Sequence, residues 1–153
     1  MAPKTPQIFI NLTTTDDNTT LHWSHSQSLV KYRLQGYTHY LHNNELQLPA
    51  IPSTAHTNLK HWLENGIFNF PSGDQALVTE AQFRILGQLY TWGFENGEDA
   101  LCDDIDARIK REAGAWVKDT DFKALMDALP KNSMLKREMN WRRNDPREFA
   151  RYA

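Results

Sequence analysis

Residues 59–70 read LKHWLENGIFNF, and how this stretch ends decides what kind of fold the chain builds. Leu59, Trp62 and Leu63 recur at three- and four-residue spacing, which puts them on one face of a helix. Gly66 then interrupts, and Ile67, Phe68 and Phe70 follow at once. A glycine at this position supplies the left-handed exit that closes a helix. The bulky tail behind it is expected to pack as a short apolar arm, because an exposed apolar patch is poorly tolerated in a monomeric domain. Ser53 or Thr54 is the expected N-cap, with the helix reaching about Asn65.

Working upstream, ELQLPAIP at 45–52 reads as a short strand with Leu46 and Leu48 on one side. Pro49 and Pro52 are its expected end. SHSQSLVKYRLQGY at 24–37 opens with candidate capping serines. Leu29, Tyr32 and Leu34 then follow a roughly helical period, and Gly36 is the expected stop. QIFINL at 7–12 and TTLHW at 19–23 read as strands, and the polar TTTDDN between them has turn chemistry.

Downstream, Pro71-Ser72-Gly73-Asp74 is a turn cluster. A helix from Thr79 carries Phe83, Leu86, Leu89 and Tyr90, and Gly93 is expected to break it. Gly97-Glu98-Asp99 opens another, with Leu101, Ile105 and Ile109 spaced as one amphipathic stripe. Asp119 or Thr120 caps a shorter helix bearing Phe122, Leu125, Met126 and Leu129, which Pro130 stops. Asn144-Asp145-Pro146 carries the start signal of a last segment. The order is strand, strand, helix, short strand, then helices only. That is an α+β chain, with a small N-terminal sheet of about three strands packed against a helical body and extra C-terminal helices.

The 153 residues suit one compact domain and are 40% hydrophobic with five tryptophans, which is no disordered composition. A single cysteine, Cys102, rules out an internal disulfide framework and favours a reducing, intracellular setting in the cytoplasm or nucleus. The N-terminus lacks the apolar run of a signal peptide, and no segment approaches a membrane span. The net charge of −2 hides an asymmetry. Residues 131–153 hold seven Lys/Arg and three Asp/Glu, a net +4, and the remainder carries −6. Such a basic tail can meet nucleic acid or an acidic protein, or simply form a solvated face.

The ordered words of the chain resemble the BTB/POZ fold of the Skp and elongin C relatives, and most closely the divergent BTB-like domains of filamentous fungi. In that family a strand of the type x-Leu-Pro leads into a helix ending Trp-Leu-Tyr-x-Gly. Here Leu48-Pro49 leads to Trp62-Leu63-Glu64-Asn65-Gly66. The family's later Leu-x-x-Leu-Tyr helix has its counterpart in Leu86-Gly87-Gln88-Leu89-Tyr90, and Leu101, Ile105 and Ile109 match the apolar helix that follows. Leu21-His22-Trp23-Ser24-His25 falls at the second strand, and Ser28-Leu29-Val30-Lys31 at the first helix. The resemblance spans residues 7–112 and implies a BTB/POZ-like domain there, with 113–153 as a C-terminal helical extension packed on it.

What the resemblance implies is a non-enzymatic adaptor for protein–protein interaction, without cofactor, that associates with itself or with another protein. Its N-terminal strand would pair across a dimer. Tyr37 and Tyr40, and the corner of Trp92 and Phe94, are the implied partner-binding aromatics, since exposed aromatics anchor interfaces. Cullin-recruiting members present a hydrophobic-x-acidic contact before the Leu-Pro strand. Leu41 to Glu45 imitates it poorly, so a cullin-type scaffold is not implied.

The residues offer little else for chemistry. His22/His25 and His39/His42 form two i, i+3 pairs that could hold zinc or copper. Neither comes with cysteine or acidic ligands, so surface histidine is the expected reading. Cys102 sits beside Asp103 and Asp104, which oppose thiolate formation. Asp103, Asp104 and Asp106 lack calcium-loop spacing. No nucleophile elbow, phosphate loop or dinucleotide fingerprint occurs. Trp141-Arg142-Arg143 could stack on nucleic acid. It equally suits a helix that buries the tryptophan and solvates both arginines. A pI near 6.3 argues against a dedicated nucleic-acid binder.

Overall fold

The computed structural model describes residues 6–68, 80–112 and 119–144. Two strands open the chain, β1 (Gln7–Thr14) and β2 (Thr20–Ser26). Helices α1 (Gln27–Arg33) and α2 (Tyr37–Tyr40) follow, then strands β3 (Leu41–His42) and β4 (Glu45–Ile51). Five more helices complete the described residues: α3 (Ser53–Asn65), α4 (Glu80–Glu95), α5 (Asp99–Glu112), α6 (Asp119–Ala128) and α7 (Met134–Asn144). The chain is α+β. No helix among the described residues is long and apolar enough to cross a membrane.

The sheet order is β2-β1-β4-β3. β1 pairs antiparallel with β2, from Gln7↔Ser26 to Thr13↔Thr20, and parallel with β4. Parallel neighbours need a crossover, and α1 and α2 lie within it. Alternation sends Ile8, Ile10 and Leu12 of β1, and Leu46 and Leu48 of β4, to the buried face. Four strands form rather than about three. Asn43 and Asn44 both take positive φ, 52° and 64°, which is the two-residue hairpin geometry that asparagine tolerates. The expected proline stop holds at Pro52, which follows the last strand residue, and fails at Pro49. Pro49 lies inside β4, which runs to Ile51. It sits past the β3 pairing, where the β1–β4 register shifts, a place where a missing N–H is tolerated.

Three further expectations change. Ser24 lies in β2, Ser26 ends β2 and takes the N-cap position of α1 without a side-chain cap bond, and Gly36 precedes α2 rather than closing α1. Neither Ser53 nor Thr54 caps α3 with its own side chain. The Ser53 amide donates to Asp16 Oδ1 at 2.9 Å, and the Ser53 hydroxyl donates to the same carboxylate, so the cap arrives from the β1–β2 turn. Gly93 does not break α4, which runs on to Glu95 with Trp92 and Gly93 buried. Burial there outweighs the roughly 1 kcal/mol helix penalty of glycine. The left-handed residue is Gly97, at φ 69°.

By their contacts the described residues form two compact units, 6–68 with 96–100, and 80–95 with 101–112 and 119–144. In the first, α3 ends as expected. Gly66 adopts φ 72° and its amide donates to the Trp62 carbonyl at 2.7 Å. The apolar arm does not form in the expected way, because Ile67 is 62% exposed. Phe68 is half-buried, and Phe70, like the 71–74 turn, lies outside the described residues.

In the second unit, Leu101, Ile105 and Ile109 are fully buried, as are Phe83, Leu86, Leu89 and Leu125. Helices α4 and α6 approach closely because Gly87 has no side chain. A Cβ there would stand 2.4 Å from the Ala128 Cβ. The Thr91 hydroxyl bridges the same crossing, 2.8 Å from the Gly87 carbonyl and 2.7 Å from that of Ala128. Helix α7 starts at Met134, where the sequence announced no helix. Ser133 caps it, accepting the Lys136 amide at 3.2 Å. Asn144 is the last described residue of α7, and the rest of the expected start signal, Asp145-Pro146, lies outside the described residues.

Two outcomes follow from this geometry. Gly87→Ala must push α4 from α6 and lose about 1–3 kcal/mol in urea denaturation. The Asp17 carboxyl is held at about 2, below its ordinary 3.8, by the Thr14 hydroxyl and then the Thr19 amide. A lowered folded value stabilises above the unfolded one and is lost as pH falls through the folded one. Stability should therefore decline from pH 3.8 towards about 2, and Asp17→Asn should flatten that decline in an acid titration followed by circular dichroism.

Candidate functional site: a buried carboxylate and the exposed apolar surface

Glu98 is fully buried. Its carboxylate accepts the Gln35 amide at 2.7 Å, the Gly36 amide at 2.9 Å and the Tyr40 hydroxyl at 2.6 Å. The Gln35 side-chain oxygen in turn accepts the Asp99 amide at 3.1 Å. Gly36 is required by space. A Cβ there would lie 2.8 Å from Glu98 Oε2 and 2.9 Å from the Tyr40 ring. Burial, then the hydrogen bond to Glu98 and its charge, push the Tyr40 hydroxyl well above the usual phenol range. The cluster fixes segment 35–40 to residue 98. Its donors leave the carboxylate no open side for chemistry among the described residues.

Of the four aromatics singled out in the sequence, only Phe94 is exposed. It stacks on Tyr90 with centroids 6.3 Å apart. Tyr37, Tyr40 and Trp92 are buried, which corrects the expectation that Tyr37 and Tyr40 stand free on the surface. Their short helix is pinned inward. Tyr40 is held by Glu98, and the Tyr37 hydroxyl accepts Gln27 Nε2 at 3.0 Å while Lys31 sits 5.3 Å from its ring.

The apolar surface lies elsewhere. In the first unit Phe9 is 50% exposed and stacks on His22 at 5.0 Å, nearly parallel. His22 Nδ1–H donates to Asn11 Oδ1, and Asn11 donates to Glu45 at 2.8 Å. Phe9, Asn11 and His22 thus share the outer face of the sheet. On α1, Leu29 and the 85% exposed Tyr32 are three residues apart. The β1 alternation carries the signal for Phe9, since Ile8 and Ile10 face inward. Tyr32 was legible only as part of a helical period.

In the second unit Trp141 is 55% exposed and Arg142 is buried, the reverse of the expected packing. The cause is an ion network. Lys110 on α5 lies 2.8 Å from Asp106 and 3.0 Å from Glu138 on α7, and Glu138 also takes Arg142 at 2.8 Å. Burial works to lower Lys110, but its hydrogen bonds to Asp106 and Glu138 carry it upward overall. Arg142 is thereby drawn to Glu138 and Trp141 turns outward. An open groove of about 250 Å³ between α4 and α6 is lined by Arg84, Gln88, Ala124, Asp127 and Ala128.

The His22/His25 pair does not converge. His22 faces outward and His25 stands opposite Ile8 on the inner face, since residues three apart on a strand point apart. No three potential metal ligands gather among the described residues. Cys102 is half-buried, with its sulfur 3.7 Å from the Tyr90 carbonyl. Comparisons with protein-family models, with curated proteins and with solved structures found no match.

Removing the Glu98 charge should cost stability. Glu98→Gln turns one acceptor into a donor facing donors, and should lose about 1–3 kcal/mol. Tyr40→Ala should likewise lower the unfolding midpoint rather than act only on binding, as a denaturant series on the purified variants will report.

Proposed function

We propose that the chain is a non-enzymatic, intracellular adaptor for protein–protein interaction, built on a BTB/POZ-like module over residues 7–112, which associates with itself or with a protein partner. The observation that carries the reading is the join between β4 and α3. Leu48-Pro49 lies in a strand that runs straight into a helix, and that helix closes at Gly66 with φ 72°. This is the order of the family's x-Leu-Pro and Trp-Leu-x-x-Gly words. The buried Leu86, Leu89 and Tyr90 of α4, and Leu101, Ile105 and Ile109 of α5, support it further.

The exposed apolar residues also favour a docking role. Phe9 beside His22, with Leu29 and Tyr32 on α1, gives the first unit rigid aromatic contact area of the kind that anchors interfaces. These replace Tyr37, Tyr40 and Trp92 as partner-binding candidates, while Phe94 remains one. A second reading, binding of nucleic acid or an acidic protein through the basic 131–153 segment, draws on Trp141 and Met134, both exposed on α7 near the cation Arg137.

The adaptor reading predicts that the purified chain forms either a self-complex or a stoichiometric complex with a protein captured from lysate. Tyr32→Asp and Phe9→Asp, each folded by circular dichroism, should weaken that complex about tenfold or more. A chain that stays alone in both assays, yet binds DNA or RNA with a steep salt dependence, would replace it with the second reading.

A further inference from the structure

We propose that β2 is a self-pairing edge, at which two copies of this chain join antiparallel to make one continuous sheet of eight strands. The inference rests on the self-associating form of the adaptor reading. It differs from the sequence expectation about the N-terminal strand. β1 is hydrogen-bonded to β2 on one side and β4 on the other, so it offers no edge to a second chain. Among the described residues the edges are β2 and β3.

The two edges are built differently. β3 has two residues and turns at once through Asn43 and Asn44; so short a strand gives a second chain little to pair with. β2 has seven residues, Thr-Leu-His-Trp-Ser-His-Ser. It contains no lysine, arginine, aspartate, glutamate, proline or glycine. Its register with β1 runs unbroken from Thr20 to Ser26, so no bulge twists it away. The charges, prolines and bulges that commonly blunt an edge strand are missing from it, and among the described residues no strand pairs with its outer side.

Charge selects the occupant and the direction. The strand itself carries no acid or base other than its histidines, and Lys60 of α3, 5.6 Å from the Trp23 ring, is already paired with Glu64 at 3.5 Å. Its ends differ. The Thr20 end carries the acidic turn of Asp16 and Asp17, and the Ser26 end enters α1, which holds Lys31 and Arg33 and no acid. Antiparallel pairing sets the acidic end of each copy towards the basic end of the other, whereas parallel pairing would set like against like. A foreign extended segment could use the same hydrogen bonds, but only a second copy brings this matched pair of ends. Seven paired residues bury little compared with a standard interface, so the association is weak.

Sedimentation equilibrium of the full chain from about 1 to 300 µM tests this, a range suited to weak dimers. The expected result is a concentration-dependent monomer–dimer equilibrium that weakens with added salt. Ser24→Lys, at an exposed position on the outer face, should raise the dimer dissociation constant about tenfold or more while leaving the circular dichroism unchanged. Hydrogen exchange on the unmodified chain gives a second measure. Amides of residues 20–26 should exchange more slowly at high concentration. A monomer throughout the range overturns the proposal, as does a dimer whose constant Ser24→Lys leaves unmoved or whose β2 amides gain no protection. A dimer of that last kind, or a monomer that captures another protein, would leave the adaptor reading standing while β2 pairing falls.

Discussion

A carboxylate taken wholly out of water must be met by donors, and Glu98 is met by three. Two are backbone amides at Gln35 and Gly36, and the third is the Tyr40 hydroxyl. The consequence is geometric. The amides lie in the turn between α1 and α2, and Tyr40 ends α2 next to β3. Fixing these groups to residue 98 fixes where the crossover returns to the sheet, and so which strand lies next to β1. The parallel β1–β4 pairing closes over a long loop, whose entropy grows with length. A buried anchor within that loop offsets part of the cost. Three neutral donors meet the carboxylate here, one at Oε1 and two at Oε2, out of about four acceptor positions.

The same logic operates at smaller scale in the β1–β2 turn. Asp17 organises the turn through Thr14 and Thr19, and Asp16 reaches across to Ser53 at the start of α3. Adjacent aspartates thus serve the hairpin and the helix separately. Both carboxyls are held below their ordinary value by hydrogen bonds, chiefly from the Ser53 hydroxyl and amide at Asp16 and from the Thr14 hydroxyl at Asp17. The first unit therefore relies on carboxylates at two depths, one buried and two at the surface.

How much of this could be read beforehand depends on the range of the interaction. Local signals succeeded: the period of Leu59, Trp62 and Leu63, the left-handed Gly66, the stripe of Leu101, Ile105 and Ile109. Signals that needed a distant partner failed. Ser53 resembles a cap, yet the cap is Asp16, 37 residues away. Tyr40 resembles a surface aromatic in a polar stretch, yet Glu98, 58 residues on, draws it inward. Trp141 and Arg142 exchange their expected places because Glu138 and Lys110 form an ion network with Arg142 that no local pattern announces. Gly93 shows the converse, a local breaker overruled by burial. The candidate surface was accordingly less legible than the fold.

Strand edges add a last step to this reasoning. A sheet with one edge of two residues and another of seven has treated its two margins unequally. The sequence of the long edge carries no residue that would prevent pairing. Neutrality along a strand is unremarkable when both sides are paired, as in a central strand. On a margin it leaves backbone donors and acceptors facing water with nothing to repel a second strand. The side chains of β2 do not oppose this. Leu21, Trp23 and His25 turn towards the inner face with Leu12, Ile10 and Ile8 opposite them, and Thr20, His22 and Ser24 turn outward. Its inner face is thus turned to the core and its outer face to the half-exposed Phe9–His22 stack, which leaves the backbone edge as a second place, beside that stack, where a partner can bond.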